Sequence, residues 1–220
     1  MIRLVVFDLG NVITPFDHTV IAPGLHARSR AKGRFTPKDI HDHIFDWDDG
    51  YYIQYEEGAI TTAEFVGEVC GRFELDLDVE GFRAIWSPIF GLDDGVVGLI
   101  RALKGRGVPL FLLSNTNEMH WEYIKKNYAV VRDFDETIVS HEVRLRKPQR
   151  AMYEQIFTRA GAGRHRLEGL QPDEVFFTDD WEHAVAGAAA FGIKTHLFKD
   201  AAGLRQVLIS DGLLPPSRGI

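Results

Sequence analysis

Cysteine is almost absent from this chain of 220 residues, which contains a single one, Cys70. One cysteine cannot form an internal disulfide, and such usage is typical of a reducing compartment. No apolar run approaches the length of a membrane span. Asp8 interrupts the first apolar stretch too early for a signal peptide. These absences predict a cytoplasmic protein without a membrane partner.

Positive charge is also scarce. The chain has 25 Lys and Arg residues against 32 Asp and Glu residues, a formal net charge of −7, and no block of basic residues. Nucleic acids and anionic membrane surfaces attract positive patches, so the composition argues against both as partners. An anionic substrate would therefore need a locally positive pocket or a metal ion.

The first strand is the most informative stretch that is present. Residues 4–7 form a continuous apolar run rich in β-branched side chains, which predicts a strand buried on both faces of a parallel sheet. The run stops at Asp8, and Gly10 and Asn11 then supply turn residues for which φ > 0 is cheap. Ligands of open parallel sheets bind beyond the carboxyl ends of the strands. Asp8 is therefore a candidate site residue, although a turn-capping role is also open.

The rest of the chain divides into two parts that differ in their hydrophobic patterns. Residues 17–91, called the helical insert below, have helical patterns, with a capping box at Thr61 and Glu64 and a second helix over 79–89. Residues 1–16 and 92–220 alternate strands with helices, which predicts a Rossmann-like parallel α/β core. Its later strands are predicted at 108–113, 137–139, 174–178 and 193–198, and its helices at 95–106, 118–127, 149–160, 182–191 and 201–208.

Polar groups follow the predicted strands at equivalent places. They are Asp8, Ser114 with Asn115, and Asp179 with Asp180, and a further element supplies Lys147 before Pro148. Carboxylates such as Asp8 and Asp180 suit Mg²⁺, and Ser114 with the amides of the next helix start suits phosphate oxygens. Lys147 can neutralise both nucleophile and phosphate, so Asp8 can attack phosphorus and form an acyl phosphate.

These motifs resemble those of the haloacid dehalogenase-like (HAD) hydrolases over essentially the whole chain. The four matching stretches are Phe7-Asp8-Leu9-Gly10-Asn11-Val12, Leu113-Ser114-Asn115, Lys147-Pro148 and Asp179-Asp180. The resemblance implies that the helical insert is a C1 cap. More closely, Ser114-Asn115-Thr116-Asn117 with His120, and Arg146-Lys147-Pro148, are similar to a bacterial branch that contains an α-glucose-1-phosphate phosphatase.

The resemblance also implies an activity and a set of roles. It implies a Mg²⁺-dependent phosphatase that hydrolyses a small phosphorylated metabolite, such as a sugar phosphate, through an aspartyl-phosphate intermediate. Asp8 would be the nucleophile, and Ser114, Asn115 and Lys147 would bind phosphate. The metal would bind Asp8, the Gly10 carbonyl and Asp180, with Asp179 behind Asp180.

Two departures from the family pattern keep alternatives open. The usual phosphatase motif has a second Asp, the general acid, where this chain has Gly10, and an Asn often found after the fourth motif is Ala184, with His183 beside it. A metal-independent haloacid dehalogenase using Asp8 is one alternative, although the pair Asp179-Asp180 favours a phosphatase. A slow phospho-ligand-binding protein is the other.

Several aromatic and histidine residues have two open roles. His18 is a candidate replacement acid, although a solvated linker histidine is favoured. His120 is a candidate substrate contact or a packing residue. Four aromatics of the helical insert suit either a sugar-binding surface or the core of the insert, and the core is favoured. They are Trp47, Tyr51, Tyr52 and Tyr55.

Overall fold

The computed structural model describes residues 1–46, 50–162 and 167–216. Within them, five parallel strands form one sheet in the order β3-β2-β1-β4-β5. The strands are β1 (Leu4–Phe7), β2 (Leu110–Ser114), β3 (Glu136–Val139), β4 (Val175–Asp179) and β5 (Lys194–Leu197). The chain runs outward from β1 to β3 and then returns to β4 on the other side of β1. The topological switch point therefore lies between β1 and β4, where such sheets bind ligands.

Both faces of the sheet are covered by helices, as predicted for a parallel α/β core. Successive side chains of a strand point to opposite faces, so Val5 and Phe7 pack in one hydrophobic cluster and Leu4 and Val6 in another. The apolar run of β1 is therefore buried throughout. The helices of this part are α6 (Asp94–Gly105), α7 (Glu118–Asn127), α8 (Ser140–Val143), α9 (Arg150–Ala162), α10 (Glu182–Phe191) and α11 (Ala201–Ser210).

The helical insert between β1 and α6 has a hydrophobic cluster of its own, centred on residues such as Phe65, Phe82 and Trp86. Its helices are α1 (Ile21–His26), α2 (Pro37–Ile44), α3 (Tyr51–Glu56), α4 (Thr62–Arg72) and α5 (Val79–Trp86). Met119 of α7 joins the same cluster, so the insert packs directly on the core. The division of the chain into two domains at residues 16 and 91 stays a prediction. Short 3₁₀ segments occupy His18–Val20, Ala129–Asp133 and Pro172–Glu174.

Local sequence signals account for most element boundaries. The capping box of Thr61 and Glu64 starts α4, and α10 ends before Gly192, whose φ of 100° suits glycine. The helix predicted over 79–89 ends earlier, at Trp86, because the approaching Pro88 disfavours helical backbone before it. Helix α2 was not individually predicted. Among the described residues, no helix combines the length and apolar character needed to cross a membrane, and the cytoplasmic location stays a prediction.

Candidate active site

Three parallel strands bring polar residues to one edge of the sheet. Asp8 directly follows β1, Ser114 is the last residue of β2, and Asp179 is the last residue of β4. The Asp8 amide donates to the Thr178 carbonyl at 2.9 Å, which continues the pairing of β1 with β4 up to the acidic residues. The structure thus brings these strand ends together at the edge that the sequence indicated.

Lys147 joins two of these strand ends. It lies between α8 and α9, where its peptide bond to Pro148 is cis. Its Nζ donates to Asp8 Oδ1 at 2.6 Å and to Asp179 Oδ2 at 2.5 Å. The residue is only 3% exposed, so it is a buried cation held by two carboxylates.

Asn115 fixes the backbone of Lys147. Its Oδ1 accepts from the Lys147 amide at 2.8 Å, and its Nδ2 donates to the Lys147 carbonyl at 3.1 Å. The hydroxyl of Ser114 donates to the Asn115 carbonyl at 3.3 Å. Asn115 therefore has a positioning role that the sequence did not reveal, and phosphate binding by Ser114 and Asn115 stays a prediction.

Asp8, Asp179 and Asp180 form an acidic cluster in which one carboxylate oxygen of each lies within 4.8 Å of the others. When all three are ionised, their three negative charges against the single positive charge of Lys147 leave a net charge of −2. Mg²⁺ prefers carboxylate oxygens of this kind. The side chains at this sheet edge therefore fit a divalent cation in both donor chemistry and charge.

Asp179 and Asp180, the two acids of the fourth motif, differ in the hydrogen bonds that their carboxylate oxygens accept. Asp179 accepts from Lys147 on one oxygen and from the Trp181 amide on the other, at 2.8 Å. Asp180, which is less buried, accepts from Asn11 Nδ2 on Oδ2 at 3.1 Å. Asp180 thus holds no charged protein partner and is open to a cation, whereas the Asp179 oxygens already hold Lys147 and the Trp181 amide.

Burial and neighbouring charge oppose each other in this cluster. Burial raises the pKa of the Asp8 carboxyl, the charge of Lys147 lowers it, and Asp179 raises it again. Burial acts to lower the pKa of Lys147, but the carboxylates of Asp179 and Asp8 together outweigh it and the pKa is raised. Lys147 is therefore a cation at neutral pH, and further positive charge near Asp8 would favour its ionised form.

Gly10 is restricted by space rather than by backbone conformation. A positive φ is cheap at both Gly10 and Asn11, but only Asn11, with φ of 52°, adopts it. A Cβ atom at Gly10 would lie 2.8 Å from the Phe16 ring. Gly10 thus does not use the left-handed conformation open to glycine, and the adjacent aromatic ring is a constraint that the sequence did not indicate. A metal contact of the Gly10 carbonyl stays a prediction.

A cleft of about 750 Å³ opens over the acidic cluster. Its walls come from the sheet edge and from the helical insert. They include Asp8, Gly10, Asn11, Phe16, Glu56, Asn115, Arg146, Lys147, Asp179, Asp180, Trp181 and His183. Glu56 and Arg146 were not predicted as site residues. Arg146 was seen only as the neighbour of Lys147, and Glu56 is one of two adjacent glutamates with no distinguishing pattern.

Glu56 and Arg146 form an ion pair between the insert and the core. Arg146 Nη2 donates to Glu56 Oε2 at 3.0 Å, and the Tyr52 side chain hydrogen-bonds the same carboxylate. Burial raises the pKa of Glu56, and the charge of Arg146 acts against this rise. The Ser140 hydroxyl also donates to the Glu56 carbonyl at 2.6 Å. Glu56 is thus the residue at which α3 docks on the core beside Lys147.

The two candidate histidines lie in aromatic surroundings. His120 is 2% exposed, and its Nε2 donates to the Trp86 carbonyl at 3.1 Å while Nδ1 accepts from Asn117 Nδ2 at 3.1 Å. Burial lowers the pKa of His120 to about 3 and that of His18, which stacks on Phe45, to about 4. Both rings are neutral at pH 7. His120 is therefore a packing residue, and His18 is a poor proton donor at pH 7.

The aromatic residues of the insert divide between core and surface. Tyr52 and Tyr55 are buried, whereas Tyr51 is 37% exposed. Trp47 lies outside the described residues. The aromatic side chains that reach the cleft are instead Phe16 and Trp181, which the sequence did not indicate.

Comparison with known proteins gives a consistent family assignment. The family model of the haloacid dehalogenase-like hydrolases matches residues 2–192. Among solved structures, the HAD family enzyme BT-2542 from Bacteroides thetaiotaomicron superposes with a TM-score of 0.75 at 27% identity. The match covers 91% of this chain and 96% of that one. The structure of the wild-type Bacteroides enzyme is a complex with magnesium and inorganic phosphate.

Dehalogenases are also similar. Haloacetate dehalogenase H-2 from Moraxella sp. (strain B) is 28% identical over 145 residues, which are 65% of this chain and 60% of that protein. The match thus spans less than two thirds of the Moraxella enzyme. The L-2-haloacid dehalogenase of Xanthobacter autotrophicus shares the fold, with a TM-score of 0.56 at 18% identity over 98% of this chain and 85% of that one.

Proposed function

The chain belongs to the haloacid dehalogenase-like hydrolases, and from that premise we propose that it is a Mg²⁺-dependent phosphatase of a small phosphorylated metabolite. The observation that carries the proposal is the acidic cluster of Asp8, Asp179 and Asp180, bridged by Lys147. The dehalogenase reaction has little need for a divalent cation. A phosphate ester, in contrast, brings further negative charge into the cleft, which a bound cation would offset. The similarity to a Bacteroides enzyme that binds magnesium and phosphate supports the same reading.

The proposed reaction begins at Asp8. Lys147 holds the Asp8 carboxylate through Oδ1, and a carboxylate oxygen of Asp8 attacks phosphorus. An O–P bond forms, the bond from phosphorus to the leaving oxygen breaks, and the leaving alkoxide takes up a proton from solvent water. Water then attacks phosphorus, which releases inorganic phosphate and restores the Asp8 carboxylate. Throughout, Asn115 holds the backbone of Lys147 in place.

The cation and the lysine supply charge at this site. When bound by Asp8 and Asp180, Mg²⁺ would offset the negative charge of the phosphoryl group and of the cluster. Lys147 also supplies positive charge there, through its contacts with Asp8 and Asp179. At Gly10 the chain has no carboxylate to protonate the leaving oxygen, so leaving groups of low pKa should react best.

A dehalogenase is the second candidate, because the Moraxella relative bears that name. In that reaction Asp8 would displace a halide from carbon, and water would then hydrolyse the resulting ester. The two candidates differ in what they release and in their need for a cation. The Asp179-Asp180 pair, with its surplus negative charge, favours the phosphatase.

One assay separates the two candidates. The purified protein is tested for phosphate release from p-nitrophenyl phosphate and a panel of phosphorylated metabolites, and for halide release from 2-haloacids, with Mg²⁺ and with EDTA. We expect phosphate release that EDTA abolishes and Mg²⁺ restores. Halide release that survives EDTA would assign the second function. Tight phosphate binding without turnover would instead indicate a binding protein.

A further inference from the structure

A buried serine outside the cleft holds the loop that follows β2. Ser140, the first residue of α8, is 0% exposed and is not among the residues that line the cleft over Asp8. Its Oγ accepts from the Thr116 amide at 2.9 Å and donates to the Thr116 carbonyl at 2.9 Å. One hydroxyl thus contacts both backbone groups of a residue in the loop that carries Ser114 and Asn115.

The Thr116 amide shares a peptide unit with the Asn115 carbonyl. A peptide unit is planar, so an atom that holds its N–H group also sets the direction of its carbonyl group. The Asn115 carbonyl is the group to which the Ser114 hydroxyl donates, at 3.3 Å. Ser140 therefore acts on the Ser114 hydroxyl, one of the predicted phosphate-binding groups, through a single rigid peptide unit.

The same peptide unit adjoins the contacts that fix Lys147. Asn115 Oδ1 accepts from the Lys147 amide, and Asn115 Nδ2 donates to the Lys147 carbonyl. Ser140 and Lys147 lie at the two ends of residues 140–147. This segment is therefore attached to the loop at both ends, by Ser140 to Thr116 and by Lys147 to Asn115. A rotation of the peptide unit would also disturb the lysine that holds the nucleophile.

The Ser140 hydroxyl also reaches the helical insert. Its Oγ lies 2.6 Å from the Glu56 carbonyl at the end of α3. A hydroxyl has one hydrogen to donate, which the carbonyls of Glu56 and Thr116 share. The Thr116 carbonyl accepts in addition from His141 Nδ1 at 2.9 Å, so it keeps a donor when the Ser140 hydrogen points to Glu56. The bond from the Thr116 amide, in contrast, needs the oxygen of Ser140.

We propose that Ser140 is a positioning residue for phosphate binding, and that its hydroxyl sets the orientation of the peptide unit between Asn115 and Thr116. This inference rests on the proposed phosphatase function. It assigns Ser140 an effect on the phosphoryl group that is transmitted through the loop, without a contact of its own to the substrate.

Loss of the hydroxyl should weaken phosphate binding and spare the metal. Without Oγ, the buried Thr116 amide loses its acceptor, and a buried donor without a partner is costly. The peptide unit then turns towards another acceptor, and a displacement of about 1 Å at bound reactants can cost about 10²-fold in rate. The carboxylates of Asp8 and Asp180 are not bonded to Ser140, so their affinity for Mg²⁺ should remain.

The test measures the binding of inorganic phosphate and of Mg²⁺ separately, by calorimetry, in the wild type and in Ser140→Ala. With saturating Mg²⁺, the Kd of phosphate should rise by about tenfold or more, and kcat/KM for p-nitrophenyl phosphate should fall by at least as much. The Kd of Mg²⁺ without phosphate should change by less than about threefold, below the cost of losing a partner of a metal ligand. Ser140→Thr keeps the hydroxyl and should restore most of the phosphate affinity.

Ser87→Ala is the matched control. Ser87 is also a buried serine between the insert and the core, 2% exposed, and its hydroxyl donates to the Met119 carbonyl at 3.4 Å. Its loss should leave phosphate binding unchanged, because this bond does not involve residues 114–116. Thermal melts identify any variant that fails to fold. If Ser140→Ala does not fold, Ser140→Cys takes its place, since a thiol has a similar size but is a weak hydrogen-bonding group.

Three results would overturn the inference alone. An unchanged phosphate Kd in a folded Ser140→Ala or Ser140→Cys variant would remove the role of the hydroxyl. An equal rise in Ser87→Ala would assign the effect to docking of the insert. A Mg²⁺ Kd that rises as much as that of phosphate would show a general disruption of the site. A wild type that hydrolyses no phosphate ester and binds no phosphate would instead reject the proposed phosphatase function together with the inference.

Discussion

The sheet edge and the helical insert use charge in opposite ways. At the sheet edge, Lys147 and three carboxylates are packed together in a largely buried site. In the insert the interior is aromatic, as in the contact of Phe65 with Trp86 at 5.0 Å. Most of its ion pairs, such as Arg34 with Glu74, lie on the surface, where such pairs contribute little to stability.

The contrast separates residues that serve a reaction from residues that stabilise the fold. Buried like charges destabilise a fold unless a ligand or counter-ion offsets them, so their presence at the sheet edge indicates function. An aromatic interior stabilises the insert without any reaction. Substitutions at the sheet edge should therefore change turnover, and those inside the insert should change stability. Glu56 is the exception, because it belongs to the insert and lines the cleft.

The largest effect is expected from Asp8→Asn. Asparagine keeps the shape of the side chain but is not a nucleophile, so hydrolysis of p-nitrophenyl phosphate should fall by at least about 10³-fold, equivalent to roughly 4 kcal/mol in the barrier. The melting temperature should not fall, because the substitution removes a buried charge. Turnover within about tenfold of wild type would reject Asp8 as the nucleophile.

The acidic pair should show the next largest effect. Asp180→Asn should raise the Mg²⁺ concentration for half-maximal activity by at least about tenfold, because it replaces a charged carboxylate ligand by a neutral amide. Asp179→Asn should raise it less and should lower the melting temperature more, since Asp179 holds Lys147 and the Trp181 amide. A larger Mg²⁺ shift for Asp179→Asn would reverse the two roles.

The packing of the insert against the core should be sensitive to acid through His120. Its folded-state pKa of about 3 lies below its ordinary value of 6.5, so the unfolded chain binds the proton more readily. This contribution to stability is present above pH 6.5 and is lost as the pH falls towards 3. From pH 7 to 5, His120 should cost about 2 kcal/mol in the free energy of unfolding.

Denaturant unfolding at the two pH values measures this loss. His120→Gln should flatten the pH dependence by that amount. As a control, the same substitution at His41, whose side chain is 42% exposed, should change the slope less. An unchanged slope in His120→Gln would show that this histidine does not govern the acid sensitivity.

The smallest effect is expected at Gly10, where the sheet edge meets Phe16. Without an acid there, the wild type should prefer glucose 1-phosphate, with its better leaving group, to glucose 6-phosphate. Gly10→Asp should narrow this preference by about threefold or more, less than a well-placed acid would give. The limit is the Phe16 ring, 2.8 Å from the new Cβ, and adding Phe16→Leu should enlarge the effect. Gly10→Asn, of the same shape but without the acid, should leave the preference unchanged.

The agreement between sequence and structure is closest where a local signal is sufficient. Helices α7 and α10 have the predicted bounds, because a capping residue or a terminal glycine marks their ends. Strand β2 begins at Leu110 rather than at residue 108, since Pro109 has no amide to donate to the sheet. In the insert, α1, α2 and α3 were not individually predicted, because short helices have little periodicity of their own.

The sequence by itself determined the α/β class of the core, its alternation of strands and helices, and the group Asp8, Lys147, Asp179 and Asp180. It could do so because buried strands appear as apolar runs, and parallel strands must end at one edge. Only the tertiary structure decided what surrounds that group. Arg146 meets Glu56 across 90 positions of sequence, and Phe16, not backbone conformation, limits Gly10. Such contacts depend on how the insert docks on the core, and no periodicity or local motif encodes that packing.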